Sequence, residues 1–167
     1  MTGNKLLEIL KGAILLEHKG RALYKSVIDS SKVQGVKDLF SMLEREEEKH
    51  IKVLNKQFSQ ISKGKGFDLS GIKDTHAETS EAVLTDIIKE NVSGAGYEAA
   101  VISAALEFEK NSVRYYSDHA EAAQSEDEKA LFEWLRDWEK GHMVMLARID
   151  NDLKEKIWFD NQFWPLD

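Results

Sequence analysis

The sequence predicts an all-α protein, an antiparallel four-helix bundle made of two helical hairpins. The only proline among the 167 residues is Pro165, so no long segment contains a helix-breaking proline. Four segments carry apolar residues at alternating spacings of three and four, which is the stripe that a bundle helix buries. The two halves of the chain also match each other in sequence.

The internal repeat has a single offset of 92 residues, the separation of His50 and His142. Residues 39–50 (LFSMLEREEEKH) align with 131–142 (LFEWLRDWEKGH), and residues 17–24 (EHKGRALY) align with 109–116 (EKNSVRYY). One offset therefore registers both pairs of helices. Duplication of a helical hairpin explains this, and it predicts a bundle with pseudo-two-fold symmetry.

The first hairpin is predicted to comprise a helix near 4–30 and a second near 32–62. Ser31 and Gln34 have the spacing of a capping box, which would start the second helix. The core stripe of the first helix comprises Leu6, Leu10, Ala13, Glu17, Gly20, Tyr24 and Val27.

The second hairpin is predicted to comprise helices near 97–123 and 126–157. Ser125 and Glu128 form the capping box of the last helix. Between the hairpins lies a crossover, residues 63–96, long enough to run the length of a bundle.

The crossover is predicted to contain a loop, 63–79, with three glycines, and a short helix, 80–91. The C-terminal tail, 158–167, is aromatic, and we expect it to cover a bundle end or a partner subunit. We expect residues 1–167 to form one domain. The tail aromatics are Trp158, Phe159, Phe163 and Trp164.

Composition excludes several classes of function. The chain has no cysteine, which excludes disulfides, thiolate catalysis and iron–sulfur or thiolate–zinc sites. Its formal charge of −7 argues against nucleic acid as a partner. Neither a signal peptide nor a membrane span is recognisable, so we expect a cytoplasmic protein with no membrane partner.

Six polar residues interrupt the apolar stripes. Glu47 and His50 are three residues apart on one helix face, as are Glu139 and His142 on another. Glu17 and Glu109 lie on the stripes of the first and third helices.

The four glutamates are expected at one level of the bundle. Glu17 lies 14 residues before Ser31 and Glu47 lies 16 residues after it, distances of about 21 and 24 Å along the helices. Buried carboxylates without partners cost several kcal/mol each. Two divalent cations would neutralise four carboxylates, so the pattern predicts a two-metal site.

This set of residues resembles the site of the ferritin-like superfamily and, within it, of rubrerythrin-related proteins. The resemblance spans the four helices and implies that Glu47 and Glu139 bridge both metals. It also implies that Glu17 with His50 completes one metal position, and Glu109 with His142 the other.

Typical rubrerythrins differ from this chain in two respects. They carry a C-terminal rubredoxin domain, which needs cysteines, and a further Glu one turn after the ligand of the third helix, where this chain has Ser112. We therefore expect electrons to come from an external donor, a rubredoxin-like protein or a flavoprotein reductase. The missing Glu argues against expecting the metal shift of typical rubrerythrins in this chain.

Carboxylate and imidazole ligands suit iron or manganese. The leading hypothesis is an oxidoreductase with two iron ions, reducing hydrogen peroxide or dioxygen, and we expect a homodimer. A manganese or mixed-metal pair would fit the same ligands. The alternatives are a manganese catalase, a ferroxidase or iron-handling protein, and a structural helical interaction module with solvated carboxylates.

Tyr24 and Tyr116 each follow a ligand Glu by seven residues. Their hydroxyls either donate to a ligand carboxylate, as a catalytic pair in the layer of residues around the metal ligands, or form hydrogen bonds locally. Glu46 and Asp137 could orient the histidines, although a solvated face is the favoured interpretation.

The other histidines, the methionines near the stripes and two tryptophans are predicted to have no role in the metal site. His18, His76 and His119 fall off the stripes and are predicted to be exposed. Met42, Met143, Met145, Trp134 and Trp138 are predicted to serve packing.

Overall fold

The computed structural model describes residues 2–72, 88, 92 and 96–160. Over these residues it contains four long helices and no strand, which confirms the all-α prediction. The helices are α1 (Thr2–Ser30), α2 (Gln34–Ser62), α3 (Tyr97–Glu121) and α4 (Glu126–Asp160). None of them is both long enough and apolar enough to cross a bilayer.

The helices pair as two hairpins. α1 packs along α2, α3 packs along α4, and α1 also contacts α3. Only three residues, 31–33, join the first pair and four residues, 122–125, join the second, so each pair is antiparallel. The two-hairpin bundle expected from the repeat is confirmed.

The core consists of two apolar clusters. The first apolar cluster includes Val27, Phe40, Leu43, Ile102, Leu106, Leu146 and Ile149. The second includes Leu10, Leu54, Ala120, Leu131, Phe132 and Leu135. Each large apolar side chain buried this way stabilises the fold by about 1.5–3 kcal/mol. Along every helix, the predicted metal-binding positions lie between the two clusters.

The capping box predicted at Ser31 and Gln34 is wrong. The residue before α2 is Val33, which has no side-chain cap, and α2 begins at Gln34. The Ser31 hydroxyl accepts a hydrogen bond from the backbone N–H of Val33 (3.1 Å) and donates to Glu98 (3.0 Å). Ser31 therefore shapes the turn and links it to α3.

The corresponding prediction at α4 is confirmed. Ser125 Oγ accepts from the backbone N–H of Glu128 at 3.2 Å, and the Glu128 carboxylate accepts from the N–H of Gln124 at 3.0 Å. The bond to Ser125 satisfies one of the N–H groups that a helix start leaves without intrahelical partners, and the Glu128 carboxylate holds the residue just before the cap.

The crossover begins in contact with α2. Gly64, with φ at +70°, ends that helix in the left-handed conformation that glycine adopts readily. The Gln57 side-chain amide then pairs with the backbone of Asp68, donating to its carbonyl (2.7 Å) and accepting from its N–H (2.9 Å).

The predicted 63–79 loop also contains a single 3-10 turn, Leu69–Gly71, which periodicity did not predict. The predicted short helix, 80–91, lies outside the described residues except for Ile88, which is helical and buried. Most of the aromatic tail lies outside them too, and α4 itself extends to Asp160, beyond the predicted end at 157.

Candidate metal centre

The four helices bring the six predicted ligands to one level between the apolar clusters. Each side chain comes from a core stripe, and none of the residues is more than 5% exposed. They are Glu17 from α1, Glu47 and His50 from α2, Glu109 from α3, and Glu139 and His142 from α4.

These residues form two overlapping groups that could each hold a metal ion. In each group the ligand atoms all lie within 4.8 Å of one another. One group is Glu17, Glu47, His50 and Glu139, and the other is Glu47, Glu109, Glu139 and His142. Glu47 and Glu139 belong to both, as bridging ligands must.

Both imidazoles turn Nδ1 toward the carboxylates. His50 Nδ1 lies 3.1 Å from Glu17 Oε2, 2.9 Å from Glu139 Oε1 and 3.5 Å from Glu47 Oε2. His142 Nδ1 lies 3.1 Å from Glu139 Oε2 and 3.5 Å from Glu109 Oε1. Nδ1 is thus the nitrogen that each histidine would offer to a metal.

Tyr24 and Tyr116 bond the two unshared carboxylates across the bundle. The Tyr24 hydroxyl on α1 donates to Glu109 on α3, and the Tyr116 hydroxyl on α3 donates to Glu17 on α1. Burial raises the pKa of both phenols well above the usual value, and nearby carboxylates raise it further. Both hydroxyls therefore remain donors.

Two of the carboxyls are hard to ionise without a cation. Burial raises the pKa of Glu47 well above its usual value, and the charges of Glu139 and Glu17 raise it further. Burial and the charge of Glu139 raise the pKa of Glu109 to about 8, against the opposing effect of His142. Like charges at such short range cannot all be present in a dry interior.

For the two histidines and Glu139, neighbouring opposite charges favour the ionised form. Burial alone would lower the pKa of His50, but the charges of Glu139 and Glu17 outweigh it and raise the pKa to about 10. Burial would also lower the pKa of His142, but hydrogen bonds to Glu109 and Glu139 outweigh it and raise the pKa well above its usual value. Burial opposes ionisation of Glu139, yet His50 and His142 hold its pKa below the usual value. In the metal-free cluster, protons on the two histidines therefore supply positive charge that offsets the buried carboxylates.

Two carboxylate oxygens in the centre have no protein partner. Among the described residues, none donates to Glu47 Oε1 or Glu109 Oε2, although both atoms are buried. Such atoms are rare in proteins because each one loses its hydration without compensation. Oxygen and imidazole nitrogen donors around two adjacent positions fit a pair of iron or manganese ions.

Gly20 allows Phe108 to pack over the centre. A Cβ atom on Gly20 would lie 2.7 Å from Phe108 Cε1 and 3.5 Å from Glu47 Cδ. The aromatic ring, also in edge contact with Tyr24 at a centroid distance of 6.2 Å, helps to close this side of the site.

Comparison with known proteins agrees with this geometry. The family model described as rubrerythrin matches residues 8–150, a range that includes all six residues of the centre. The chain belongs to the rubrerythrin family. Its buried cluster of carboxylates and histidines is compatible with the di-iron site of that family.

Among solved structures, a hypothetical protein from Pyrococcus furiosus is similar to this rubrerythrin-family chain. The two share 26% sequence identity over 90% of each chain, with a TM-score of 0.63. No curated protein matches the sequence. The comparisons therefore identify the family and the fold, while the reaction has to be argued from the site.

Ser112 marks the point at which this rubrerythrin-family chain lacks the additional carboxylate. The residue is buried, and its hydroxyl donates to the Phe108 carbonyl of its own helix at 3.2 Å. It therefore lies outside both groups of ligand atoms.

The predicted solvated face for Glu46 is wrong. The residue is buried and accepts from His142 Nε2 and, at 2.9 Å, from Trp138 Nε1. Burial opposes ionisation, but these bonds lower its pKa. The signal was present, since Glu46 is three residues after Leu43 and four before His50. Asp137 is exposed, as predicted, and pairs with Arg136.

The other histidines lie away from the centre. His18 is exposed, as predicted, and His76 lies outside the described residues. The prediction for His119 is wrong, because it is half-buried, with its ring centroid 4.4 Å from Tyr115 and 5.6 Å from Phe132. An aromatic pocket therefore holds a residue that falls off the stripe.

Three methionines lie in or against the first apolar cluster, and two of the tryptophans of α4 contact the centre. Met42 and Met145 are buried, and Met143 packs against the cluster. Trp134 and Trp138 each place a ring centroid 5.5 Å from that of His50, in edge contact.

Proposed function

We propose that this chain holds two iron ions and reduces hydrogen peroxide or dioxygen at that pair. The observation that carries the proposal is the convergence of four buried carboxylates and two imidazoles, with Glu47 and Glu139 common to both groups of ligand atoms. Membership of the rubrerythrin family supports the choice of iron.

Charge favours a pair of cations over a single ion. Four carboxylates carry four negative charges when ionised, and two divalent ions balance them without the protons that the metal-free cluster retains. Glu17 and His50 would complete one position, and Glu109 and His142 the other. Nδ1 of each histidine already faces its own group.

The protein residues around the ion pair would have two tasks. Tyr24 and Tyr116 orient the unshared carboxylates by hydrogen bonds from opposite helices. The two apolar clusters and Phe108 exclude bulk water from the centre. A bound pair of ferrous ions would supply two electrons together, which with two protons would convert one hydrogen peroxide into two waters.

Turnover requires a partner that returns the electrons. The 167 residues contain no cysteine, so they cannot hold a rubredoxin-type iron centre. We propose a separate rubredoxin-like protein or flavoprotein reductase as donor, a small-molecule oxidant as substrate, and a homodimer as the working form.

Stopped-flow absorption tests this function. Metal-free protein is loaded anaerobically with two ferrous ions per chain and mixed with hydrogen peroxide. We expect oxidation faster than that of ferrous ion in the same buffer, consuming one peroxide per two ferrous ions. Oxidation no faster than that of free ferrous ion would disprove the proposal.

The alternatives give different readouts from the same preparation. A manganese catalase would release oxygen from peroxide when loaded with manganese, whereas peroxide reduction releases none. Iron storage requires a large shell, which size-exclusion chromatography separates from a dimer. A purely structural bundle would retain no metal after dialysis. Glu47→Gln removes a ligand common to both groups and serves as the unloaded control.

A further inference from the structure

We propose that Glu46 makes the two metal positions unequal, so that the first ion binds beside His142 and the second beside His50. This inference rests on the two-metal function proposed above. It comes from a position at which the two repeats differ. At the offset of 92 residues, Glu46 on α2 corresponds to Trp138 on α4.

The two positions otherwise have matching donors. Each has the shared pair Glu47 and Glu139 together with one histidine. Each also has one unshared glutamate, which accepts a hydrogen bond from a tyrosine of the opposite hairpin. The pseudo-symmetry thus allows the two metal positions to be compared within one molecule. They differ in the groups that contact the Nε2 side of each imidazole.

Behind His142 lies a carboxylate. The Nε2–H of His142 donates to Glu46 Oε2, and the same oxygen accepts from Trp138 Nε1 at 2.9 Å. Because an ionised carboxylate only accepts, this bond places the imidazole proton on Nε2 and leaves the Nδ1 lone pair for a metal. The indole fixes the carboxylate in turn.

Behind His50 lie aromatic rings. Its Nε2 is buried and has no hydrogen-bond partner among the described residues. The rings of Trp134 and Trp138 meet His50 edge to face, each with a centroid distance of 5.5 Å. An indole N–H donates but cannot accept, so Trp138 cannot take over the role that Glu46 has for His142.

This difference has a predictable size. An acceptor behind a ligating histidine raises the basicity of the ligand and fixes its ring, and loss of such a partner costs about 10–100-fold in metal affinity. Glu46 also adds a negative charge on the His142 side. We therefore expect the first ion to bind about 10–100-fold more tightly than the second. Glu46 acts through His142 and is a positioning residue.

Anaerobic titration of the metal-free protein with Co(II), followed by calorimetry and visible absorption, tests the inference without any turnover. The wild type should bind two ions in two resolved steps. His50→Ala should retain the tight step, and His142→Ala should lose it. Equal affinities for both ions, or a tight step that disappears with His50, would overturn the inference.

Glu46→Gln isolates the contribution of the carboxylate. Its amide oxygen can still accept from Trp138, so the buried contact has a replacement, while the charge is lost. We expect the tight step to weaken about tenfold and the second step to change little. Asp137→Asn is the matched control, because it removes an exposed carboxylate of α4, and both steps should remain. Equal weakening of both steps in Glu46→Gln would contradict the proposal.

A further measurement needs no metal. Proton NMR of the metal-free wild type should show a slowly exchanging, low-field His142 Nε2–H resonance that moves upfield in Glu46→Gln, and its absence from the wild type would count against the inference. If no cobalt binds to any form, the proposed function fails together with the inference. If two ions bind with equal affinity, only the inference fails.

Discussion

His119 is a half-buried imidazole near the C-terminal end of α3, ten residues after Glu109. It packs against Tyr115 and Phe132. Burial lowers its pKa from the ordinary 6.5, against the weaker opposing charges of Asp118 and Glu128. The neutral ring is therefore the form that the folded protein accommodates best.

This predicts a defined pH dependence of stability. Above pH 6.5 the ring is neutral in both states, and its contribution to the free energy of unfolding is fully present. As the pH falls below 6.5, the unfolded chain is protonated first, so stability falls until the lowered folded pKa is passed. Urea unfolding at pH 8 and pH 5 should show a smaller loss for His119→Gln than for the wild type, since other groups titrate alike in both. Equal losses would refute the prediction.

The ligand residues and their neighbours differ in how far sequence can predict them. Glu17, Glu47 and His50 stand on apolar stripes, where burial of a polar side chain requires a partner, so periodicity alone identifies them. The roles of Glu46 and His119 depend on contacts with another helix or with rings on α3 and α4. Such contacts depend on how each helix is rotated relative to its neighbours. The spacing of residues within a single helix does not define that rotation.

At the scale of single elements, two similar serine motifs have different outcomes. Ser125 caps α4 by accepting from the Glu128 N–H. Ser31 precedes α2 with a comparable spacing to Gln34, yet its hydroxyl is committed to Val33 and Glu98. The helices themselves follow from periodicity and the lack of proline, whereas the start of α2 depends on a contact with α3 that no local motif encodes.

We therefore predict that Ser125→Ala destabilises the protein by about 1 kcal/mol, the usual cost of losing an N-cap acceptor. The N–H of Glu128 would lose its side-chain partner at the start of α4. Ser117→Ala is the matched control, because that hydroxyl only donates to a carbonyl within α3 at 2.7 Å. Alanine in a helix interior is neutral or slightly stabilising. Urea midpoints of the metal-free proteins measure both, and equal midpoints for the two variants would contradict the prediction.

The molecule as a whole is two apolar clusters separated by a polar layer. The clusters supply the hydrophobic stabilisation, while the layer of four carboxylates and two imidazoles costs stability unless positive charge is present. Protons retained on Glu109 and the histidines supply part of that charge in the metal-free state. Binding of cations should therefore be linked directly to the stability of the fold.

Ions that bind only the folded state raise stability by about 2.7 kcal/mol per site at a free concentration 100 times Kd. Two sites then give roughly 5 kcal/mol, which corresponds to a rise in Tm on the order of 10–20 °C for a chain of this size. Differential scanning calorimetry with and without Mn(II) measures the rise, and an unchanged Tm at saturating metal would rule it out.

Glu47→Gln shows whether that rise comes from the centre. Because burial and the charge of Glu139 raise the pKa of Glu47, the metal-free protein opposes ionisation of this carboxyl, and a neutral amide of the same shape can replace it. We therefore expect the metal-free Tm to stay close to that of the wild type. The same substitution removes a ligand from both metal positions, so the rise with Mn(II) should be largely lost. A variant that kept the full rise would mean that the stabilising ions bind elsewhere on the acidic surface.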